Sequence, residues 1–403
     1  MISKNITNSI ILLLILFSAC TKTEKANENT VIIVSIDGFR YDYPIKYKTP
    51  NLDLIAKEGV KATSMIPSYP SKTFPNHYAI ATGMYPSNNG LVHNSFYDPE
   101  RKEMYRIGIG KKDGSWFYGT PLWTLAEQQG VKSASFYWPV SDSRVQGITP
   151  SYYFKYNKST PYAQRIEQIE KWLSLKGKNR PRFITLYFSL VDTQGHRYGP
   201  DAKETQEAVE YLDTQIGALY KTIKASDHPV NLIVVSDHGM ENVDVDNPIV
   251  LEGLGSFEDF TCVNGGGVQY LLYPNKGANV QETYEKLKAQ ESKGMHVYLK
   301  ENIPANLHYS KGNRIPAIVC EAIPPKAFKN VRGGVSKGTH GYNPYAIKNM
   351  HAIFYGVGPN FKKGVEIPSF ENVNVYPAIA KIIGLEIPND IDGKIDVLGP
   401  YLQ

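Results

Sequence analysis

Thr73 lies in Pro70-Ser-Lys-Thr73-Phe-Pro-Asn-His77, a proline-bounded loop that runs into Asn76-His-Tyr-Ala-Ile-Ala-Thr-Gly83. Asn76 is a capping residue type, Pro75 fixes the turn ahead of it and Gly83 is a stop signal, so a helix is expected from Asn76. The Thr73 hydroxyl then stands near unpaired N–H groups and the positive end of a helix dipole, where a negative oxygen is favoured. Alone, such a threonine is a turn residue. Its chemical partners lie further along the chain: Asp37 after the run from Val31 to Ile36, Asp192 and His196 after the run from Arg182 to Leu190, Asp237 and His238 after Pro229 to Ser236, and His340 in Gly338-Thr-His-Gly. Asp192 and His196 are four apart, which sets two ligands on one side of a helical turn. Carboxylate and imidazole donors without thiolate fit Zn²⁺ best, with Mn²⁺ or Fe²⁺ compatible. Three aspartates, three histidines and a threonine exceed the needs of one tetrahedral ion and suit two. Two ions about 3.5–4 Å apart clamp the entering and leaving oxygens of an in-line displacement, and phosphoryl transfer is the reaction that needs this. A threonine hydroxyl is a poor nucleophile at neutral pH, and coordination to a metal is one of the few ways to ionise it. Asn94, in a polar loop, offers either an Asx turn or an amide donor for a phosphoryl oxygen.

Positioning these groups requires strands that end together. The three runs named above are mostly apolar and rich in β-branched residues, which fits strands buried on both faces. Amphipathic helices from Pro50 to Gly59, Leu122 to Gln129, Pro161 to Leu175, Asp201 to Ile223 and Asn374 to Gly384 alternate with them. The expected fold is α/β, a mostly parallel sheet with helices on both faces, and in such sheets ligands bind beyond the carboxyl ends of the strands. Asp37, Asp192 and Asp237 all fall at such ends. From about residue 250 to 332 the rhythm weakens into strand-helix-strand-strand content, which suggests a small inserted α+β subdomain within a domain spanning 30–403. The aromatic cluster Tyr152, Tyr153, Phe154 and Tyr156 lies in loop-like surroundings.

The first residues are of another kind. Lys4 precedes an apolar run from Ile10 to Phe17, then Ser18-Ala19-Cys20. This has the layout of a secretory signal over residues 1–19 and resembles a bacterial lipoprotein processing site, with lipidated Cys20 as the mature N-terminus. Phe17 stands where that pattern usually has leucine, and ordinary cleavage one or two residues away is the alternative. Residues 20–29 read as a flexible tether, so the chain is expected to be exported, as a periplasmic or cell-surface lipoprotein held at the membrane. Removing residues 1–19 deletes one charged residue, Lys4, and takes the net charge from +5 to +4. Without a basic run, that is too mild for a nucleic-acid surface. Cys262 and Cys320 permit a disulfide or two free thiols equally well.

Asp37-Gly-Phe-Arg, Lys72-Thr73-Phe-Pro-Asn-His, Asn94, Asp192-x-x-x-His196-x-Tyr-Gly-Pro, Ser236-Asp237-His238-Gly-Met and Gly338-Thr-His340-Gly-Tyr together resemble the nucleotide pyrophosphatase/phosphodiesterase family of the alkaline phosphatase superfamily, in the family's order from about Val31 to Gly399. The resemblance implies an alkaline-phosphatase-like fold and a dizinc hydrolase of nucleotide phosphodiester and pyrophosphate bonds that releases nucleoside 5′-monophosphates. It implies one zinc on Asp37, Thr73, Asp237 and His238 and the other on Asp192, His196 and His340. Thr73 would form a covalent intermediate, with Asn94 and the Phe74 N–H on the non-bridging oxygen. Phe74 and Tyr156 would sandwich the base, and Tyr187 matches a further pocket residue. Asn343 departs from the pattern, which frequently has an acid there. Rival expectations are a phospholipid-headgroup or glycerophosphodiester hydrolase on the same core, in which the aromatics cage a quaternary amine, a monoester phosphatase, with Lys72 or Arg40 on the phosphate, and a binding lipoprotein without turnover.

Overall fold

The computed structural model describes residues 28–403. The expected signal segment, Cys20 and residues 20–27 of the tether lie outside them. An eight-stranded sheet runs, edge to edge, Val365–Ile367, Val60–Ala62, Phe354–Val357, Val230–Val235, Thr30–Ile36, Phe183–Phe188, Ser133–Phe136, Tyr152–Phe154. The last five are mutually parallel, and Phe354–Val357 is antiparallel to both of its neighbours. The expected α/β architecture is therefore present.

Burial on both faces explains why the central strands read as mostly apolar runs, with polar residues in them such as Ser35, Thr185 and Asn231 also buried. Val31 and Ile33 point into one core, with Tyr78, Leu125 and Ile379, while Ile32, Val34 and Ile36 point into another, with Leu52, Ile169, Leu212 and Ile216. Both faces are thus covered by helices: Thr73–Thr82, Leu122–Gln128 and Val375–Ile383 on one side, Pro50–Glu58, Tyr162–Leu173 and Lys203–Lys224 on the other. Each of these fully buried Val, Ile and Leu side chains stabilises the fold by roughly 1.5–3 kcal/mol. Close approach at Gly59 lets the helix Pro50–Glu58 turn straight back into the sheet, because a Cβ there would meet the Gly356 carbonyl oxygen at 2.2 Å.

A second sheet of four antiparallel strands, in the order Phe260–Gly265, Gln269–Pro274, Ile318–Ala322, Met295–Leu299, packs with the helix Val280–Lys288 around its own core of Leu272, Leu287, Val297 and Ile318. Cys262 is exposed, Cys320 is buried, and both are free thiols. Among the described residues no helix is long and apolar enough to cross a membrane.

Three local expectations are corrected. The helix expected from Asn76 begins at Thr73, with Lys72 as its cap residue. Pro75 is tolerated because the first N–H groups of a helix have no partner within it. Asn76 is interior, and its side-chain amide braces the preceding loop by donating to the carbonyls of Ser68, Pro70 and Lys72 at 3.2, 3.1 and 2.9 Å. Tyr152–Phe154, expected as loop, is an edge strand beside Ser133–Phe136. Ser95–Asp98 and Glu103–Arg106 form a hairpin just after Asn94, a pairing not anticipated from that polar stretch.

Candidate active site

All seven side chains singled out as metal donors meet at the carboxyl edge of the large sheet. His238 Nε2 lies 3.0 Å from Asp237 Oδ2, 3.5 Å from Asp37 Oδ1 and 3.2 Å from Thr73 Oγ1. Asp192 Oδ1 lies 3.3 Å from His196 Nε2 and 3.7 Å from His340 Nε2. The two groups adjoin through stacked imidazoles: the ring centroids of His238 and His340 are 3.5 Å apart, and His196 lies 5.0 Å beyond His340. Gly38 makes the closest join, with φ of +69° and the Asp192 Cα 2.9 Å from where a Cβ would stand, so only glycine lets Asp37 approach Asp192 in this way.

The backbone settles which nitrogen of each imidazole faces the site. Nδ1 of His238, His196 and His340 lies 2.8 Å from the carbonyl oxygens of Gly239, Gly338 and Ser71 respectively. A carbonyl only accepts, so each Nδ1 carries the proton and each Nε2 presents a lone pair inward. The carboxylates complete the pattern. Asp37 Oδ2 accepts from the Tyr187 hydroxyl, and Asp237 Oδ1 accepts from the N–H groups of Gly38 and His238 at 3.1 and 3.0 Å. The inward oxygens, Asp37 Oδ1, Asp192 Oδ1 and Asp237 Oδ2, are buried and receive no hydrogen bond.

Three such oxygens facing three lone pairs cost several kcal/mol unless positive charge lies between them. Divalent cations fit this donor set, and the ligand atoms of Asp37, Asp237 and His238, and of Asp192, His238 and His340, each lie within 4.8 Å of one another. Electrostatics point the same way. Burial, then the charges of Asp237 and Asp192, hold the Asp37 carboxyl well above its usual range. Burial, then His238, holds His340 well below the usual imidazole range, so it is a neutral donor.

Thr73 opens its helix, and the next N–H, that of Phe74, donates to Asn94 Oδ1 at 3.1 Å, which sets Asn94 beside the residue that follows the threonine. Phe74, Tyr156 and Tyr187 line one cavity of about 210 Å³ together with Tyr137, Trp138 and Phe154. Tyr187 thereby serves two surroundings at once, the aromatic wall and the Asp37 carboxylate. Tyr156 is 44% exposed, with its ring edge-on to Tyr137 and Tyr187.

Several supporting residues escaped the sequence reading. Lys72, left open there as a phosphate ligand, is buried, and its Nζ spans the carbonyls of His340 and Gly266 at 2.5 and 3.2 Å. Burial pushes its amine down to about 7. His77 bridges the Ser35 hydroxyl and the Thr73 carbonyl. Gln269 donates to the Gly341 carbonyl at 2.6 Å, which ties the four-stranded sheet to the His340 loop. The acceptors in these contacts are mostly backbone oxygens, which leave no mark on a sequence.

Glu321, on the same sheet, accepts from the Tyr69 hydroxyl at 2.7 Å and from the Asn343 N–H at 2.8 Å, and so joins the loops that carry Thr73 and His340. Burial pushes its carboxyl up from the usual 4.5 to about 7, against these two hydrogen bonds. A raised folded-state value means that this contribution to stability is complete below about pH 4.5 and lost as pH rises through about 7. Denaturant titrations of wild type and Glu321→Gln from pH 5 to 8 are expected to show wild type losing up to about 3 kcal/mol relative to the variant. A constant difference would contradict this.

Comparisons with known proteins identify the family. The profile of the type I phosphodiesterase/nucleotide pyrophosphatase family matches residues 31–343. Ectonucleotide pyrophosphatase/phosphodiesterase family member 1 of Homo sapiens is 34% identical over 368 residues, covering 88% of this chain and 40% of that protein. Venom phosphodiesterase of Naja atra is 32% identical over 395 residues, covering 93% of this chain and 46% of that protein. The chain thus spans less than half the length of these relatives. Among solved structures, murine ectonucleotide pyrophosphatase/phosphodiesterase 5 superposes with a TM-score of 0.86 at 29% identity, covering 93% of this chain and all of that one; one such structure is an inactive threonine-to-alanine variant in complex with AMP.

Proposed function

The chain belongs to the type I phosphodiesterase/nucleotide pyrophosphatase family, and on that premise we propose that it hydrolyses phosphodiester and pyrophosphate bonds of nucleotides, releasing nucleoside 5′-monophosphates. The observation that carries this is the convergence of three unprotonated Nε2 atoms and three unpartnered carboxylate oxygens beside a threonine hydroxyl at the start of a helix. Two divalent cations, zinc by donor type, held by Asp37, Thr73, Asp237 and His238 and by Asp192, His196 and His340, would ionise that hydroxyl and offset the charge on the entering and leaving oxygens. Thr73 Oγ1 attacks phosphorus, its bond to phosphorus forms as the bond to the leaving oxygen breaks, and the electron pair departs with that oxygen. Water then opens the phosphothreonine ester, restoring the hydroxyl and releasing the monophosphate. The Asn94 amide N–H, with its oxygen held by the Phe74 N–H at the positive end of the Thr73–Thr82 helix, would stabilise a non-bridging oxygen, and the Phe74 N–H would do so where a phosphoryl oxygen replaces Asn94 Oδ1. Tyr187 fixes Asp37 through its hydroxyl.

The aromatic cavity favours nucleotides over headgroup esters. Phe74 and Tyr156 offer faces for a base, and the AMP complex of the murine relative supports a nucleotide as the ligand class. An exported location with a tether through Cys20 belongs to the same proposal, and rests on the leader-like residues 1–19 and on relatives named as ectoenzymes. Steady-state rates on p-nitrophenyl 5′-thymidylate and p-nitrophenyl phosphocholine test the assignment. The nucleotide is expected to be preferred, and Tyr156→Ala to raise its KM about tenfold or more by removing a stacking face, with kcat little changed. Preference for the choline ester would overturn the nucleotide reading.

A further inference from the structure

The four-stranded sheet reaches the site through two neighbouring side chains. Gln269 and Glu321 are partners across antiparallel strands, and Glu321 joins the loops that carry Thr73 and His340. Gln269 turns to a third loop, the one that carries Asn94. Its Oε1 lies 3.3 Å from His93 Nε2, and its Nε2 lies 2.6 Å from the Gly341 carbonyl oxygen. His93 Nδ1 in turn lies 3.4 Å from the Ser95 backbone nitrogen. Gly265 admits the imidazole, since a Cβ there would stand 2.9 Å from His93 Cε1 and Nε2. Both side chains are buried.

The direction of each bond in this series is settled from its far end. The Gly341 carbonyl only accepts, so the Gln269 NH₂ faces it and Oε1 faces His93. An amide oxygen also only accepts, so His93 Nε2 carries the proton and Nδ1 keeps a lone pair, which accepts the Ser95 N–H. Burial, then the charge of Lys72, pushes the imidazole down to about 3, and it stays neutral in this role. The series brackets Asn94, because it holds the residue before it and the residue after it. Asn94 is half-buried; the Phe74 N–H holds its Oδ1, and its Nδ2 has no hydrogen-bond partner among the described residues. Its placement therefore depends on the backbone on either side. For packing alone, an apolar pair of the same shape would serve and would leave no polar atom to satisfy. The polarity of His93 and Gln269 is accounted for by the backbone groups they fix.

We propose that Gln269 and His93 are positioning residues that hold the Asn94 amide in place, so that the four-stranded sheet acts on the chemical step through Asn94. This deepens the nucleotide hydrolase reading and rests on it. A donor stabilises the charge that develops on a phosphoryl oxygen only where it is held at the place that charge appears, and about 1 Å of misplacement forfeits much of the benefit. Neither His93 nor Gln269 touches the reacting atoms on this account. Their effect passes through the backbone of residues 93 to 95.

The test is kcat and KM on p-nitrophenyl 5′-thymidylate for His93→Phe, made in the wild-type and in the Asn94→Ala background. The phenyl ring fills the space and leaves Gln269 on the Gly341 carbonyl, so the hold on Asn94 is what is removed. In the wild-type background kcat is expected to fall about tenfold, with KM changed by less than about twofold. In the Asn94→Ala background, itself about a hundredfold slower, the same substitution is expected to change kcat by less than about twofold, because residues that act through one another are not additive. His93→Gln, whose amide donor replaces the imidazole N–H toward Gln269, is expected to recover part of the loss, and His93→Leu carries the comparison if the phenyl variant folds poorly. Equal losses in both backgrounds, no loss in the wild-type background, or a His93→Gln variant no more active than His93→Phe would overturn this inference while leaving the hydrolase reading intact. Absence of turnover by the wild-type protein would overturn the hydrolase reading and the positioning role with it.

Discussion

Replacing Thr73 by alanine is expected to lower kcat on a nitrophenyl nucleotide by at least about 10⁴-fold while leaving folding and metal content nearly unchanged. The size follows from what is lost. On the proposed mechanism Oγ1 is the atom that bonds to phosphorus, and among the described residues no other hydroxyl is hydrogen-bonded to the inward donors: the Tyr187 hydroxyl, which touches Asp37, donates to its Oδ2 and not to the inward Oδ1. The retention of structure also follows from position. Thr73 is the first residue of its helix, where alanine is at least as favourable, and its backbone carbonyl, which holds His77, survives the change. Three aspartates and three histidines remain as candidate metal donors. Thr73→Ser keeps the hydroxyl and is expected to retain far more activity than Thr73→Ala. Comparable rates for wild type and Thr73→Ala, measured with zinc present, would exclude a threonine nucleophile.

Removing the metal is expected to act as strongly, and on stability as well. Dialysis against a strong chelator should reduce turnover to background and re-addition of Zn²⁺ should restore it. On the proposed reading the chelated protein loses the cations that would balance three inward carboxylate oxygens without a hydrogen-bond donor among the described residues. Protonation is then favoured at Asp37, whose carboxyl burial and the charges of Asp237 and Asp192 hold well above the usual range. Ligand linkage sets the scale: ions present at a thousandfold excess over their Kd stabilise the native state by about 4 kcal/mol for each site. Chelation should therefore shift the denaturation midpoint clearly downward. An unchanged midpoint together with unchanged activity would show that the donors close on one another without an ion.

Much of this was legible in the residues because burial on two faces writes itself into composition. Val31 to Ile36 and Val230 to Val235 have no polar alternation to hide, and the acids that follow them are conspicuous for that reason. Asp192 and His196 were readable from helical spacing, and both lie on the helix Leu190–Tyr198. What was not legible has physical causes. Pro75 looks like a boundary, yet in a first turn its missing N–H costs nothing, and so the helix start was placed three residues late. Tyr152–Phe154 is partly exposed at the sheet edge and lacks the two-sided burial that marks the central strands. Phe260–Gly265, with Thr261, Cys262 and Asn264 in it, carries a mixed pattern that only its antiparallel partner resolves. The contacts that orient the imidazoles end on the carbonyls of Gly239, Gly338 and Ser71, and every residue has a carbonyl. Lys72 is the clearest case: from the sequence it is a cation beside a nucleophile, and in the fold it is a buried tie between the His340 loop and the four-stranded sheet.

The central claim is that two divalent cations are gathered next to Thr73, and diffraction data collected from zinc-loaded crystals on either side of the zinc absorption edge test it most directly. The expected result is two anomalous peaks per chain, one among Asp37, Thr73, Asp237 and His238 and one among Asp192, His196 and His340. Peaks confined to other parts of the surface, or no peak at these seven side chains, would contradict it.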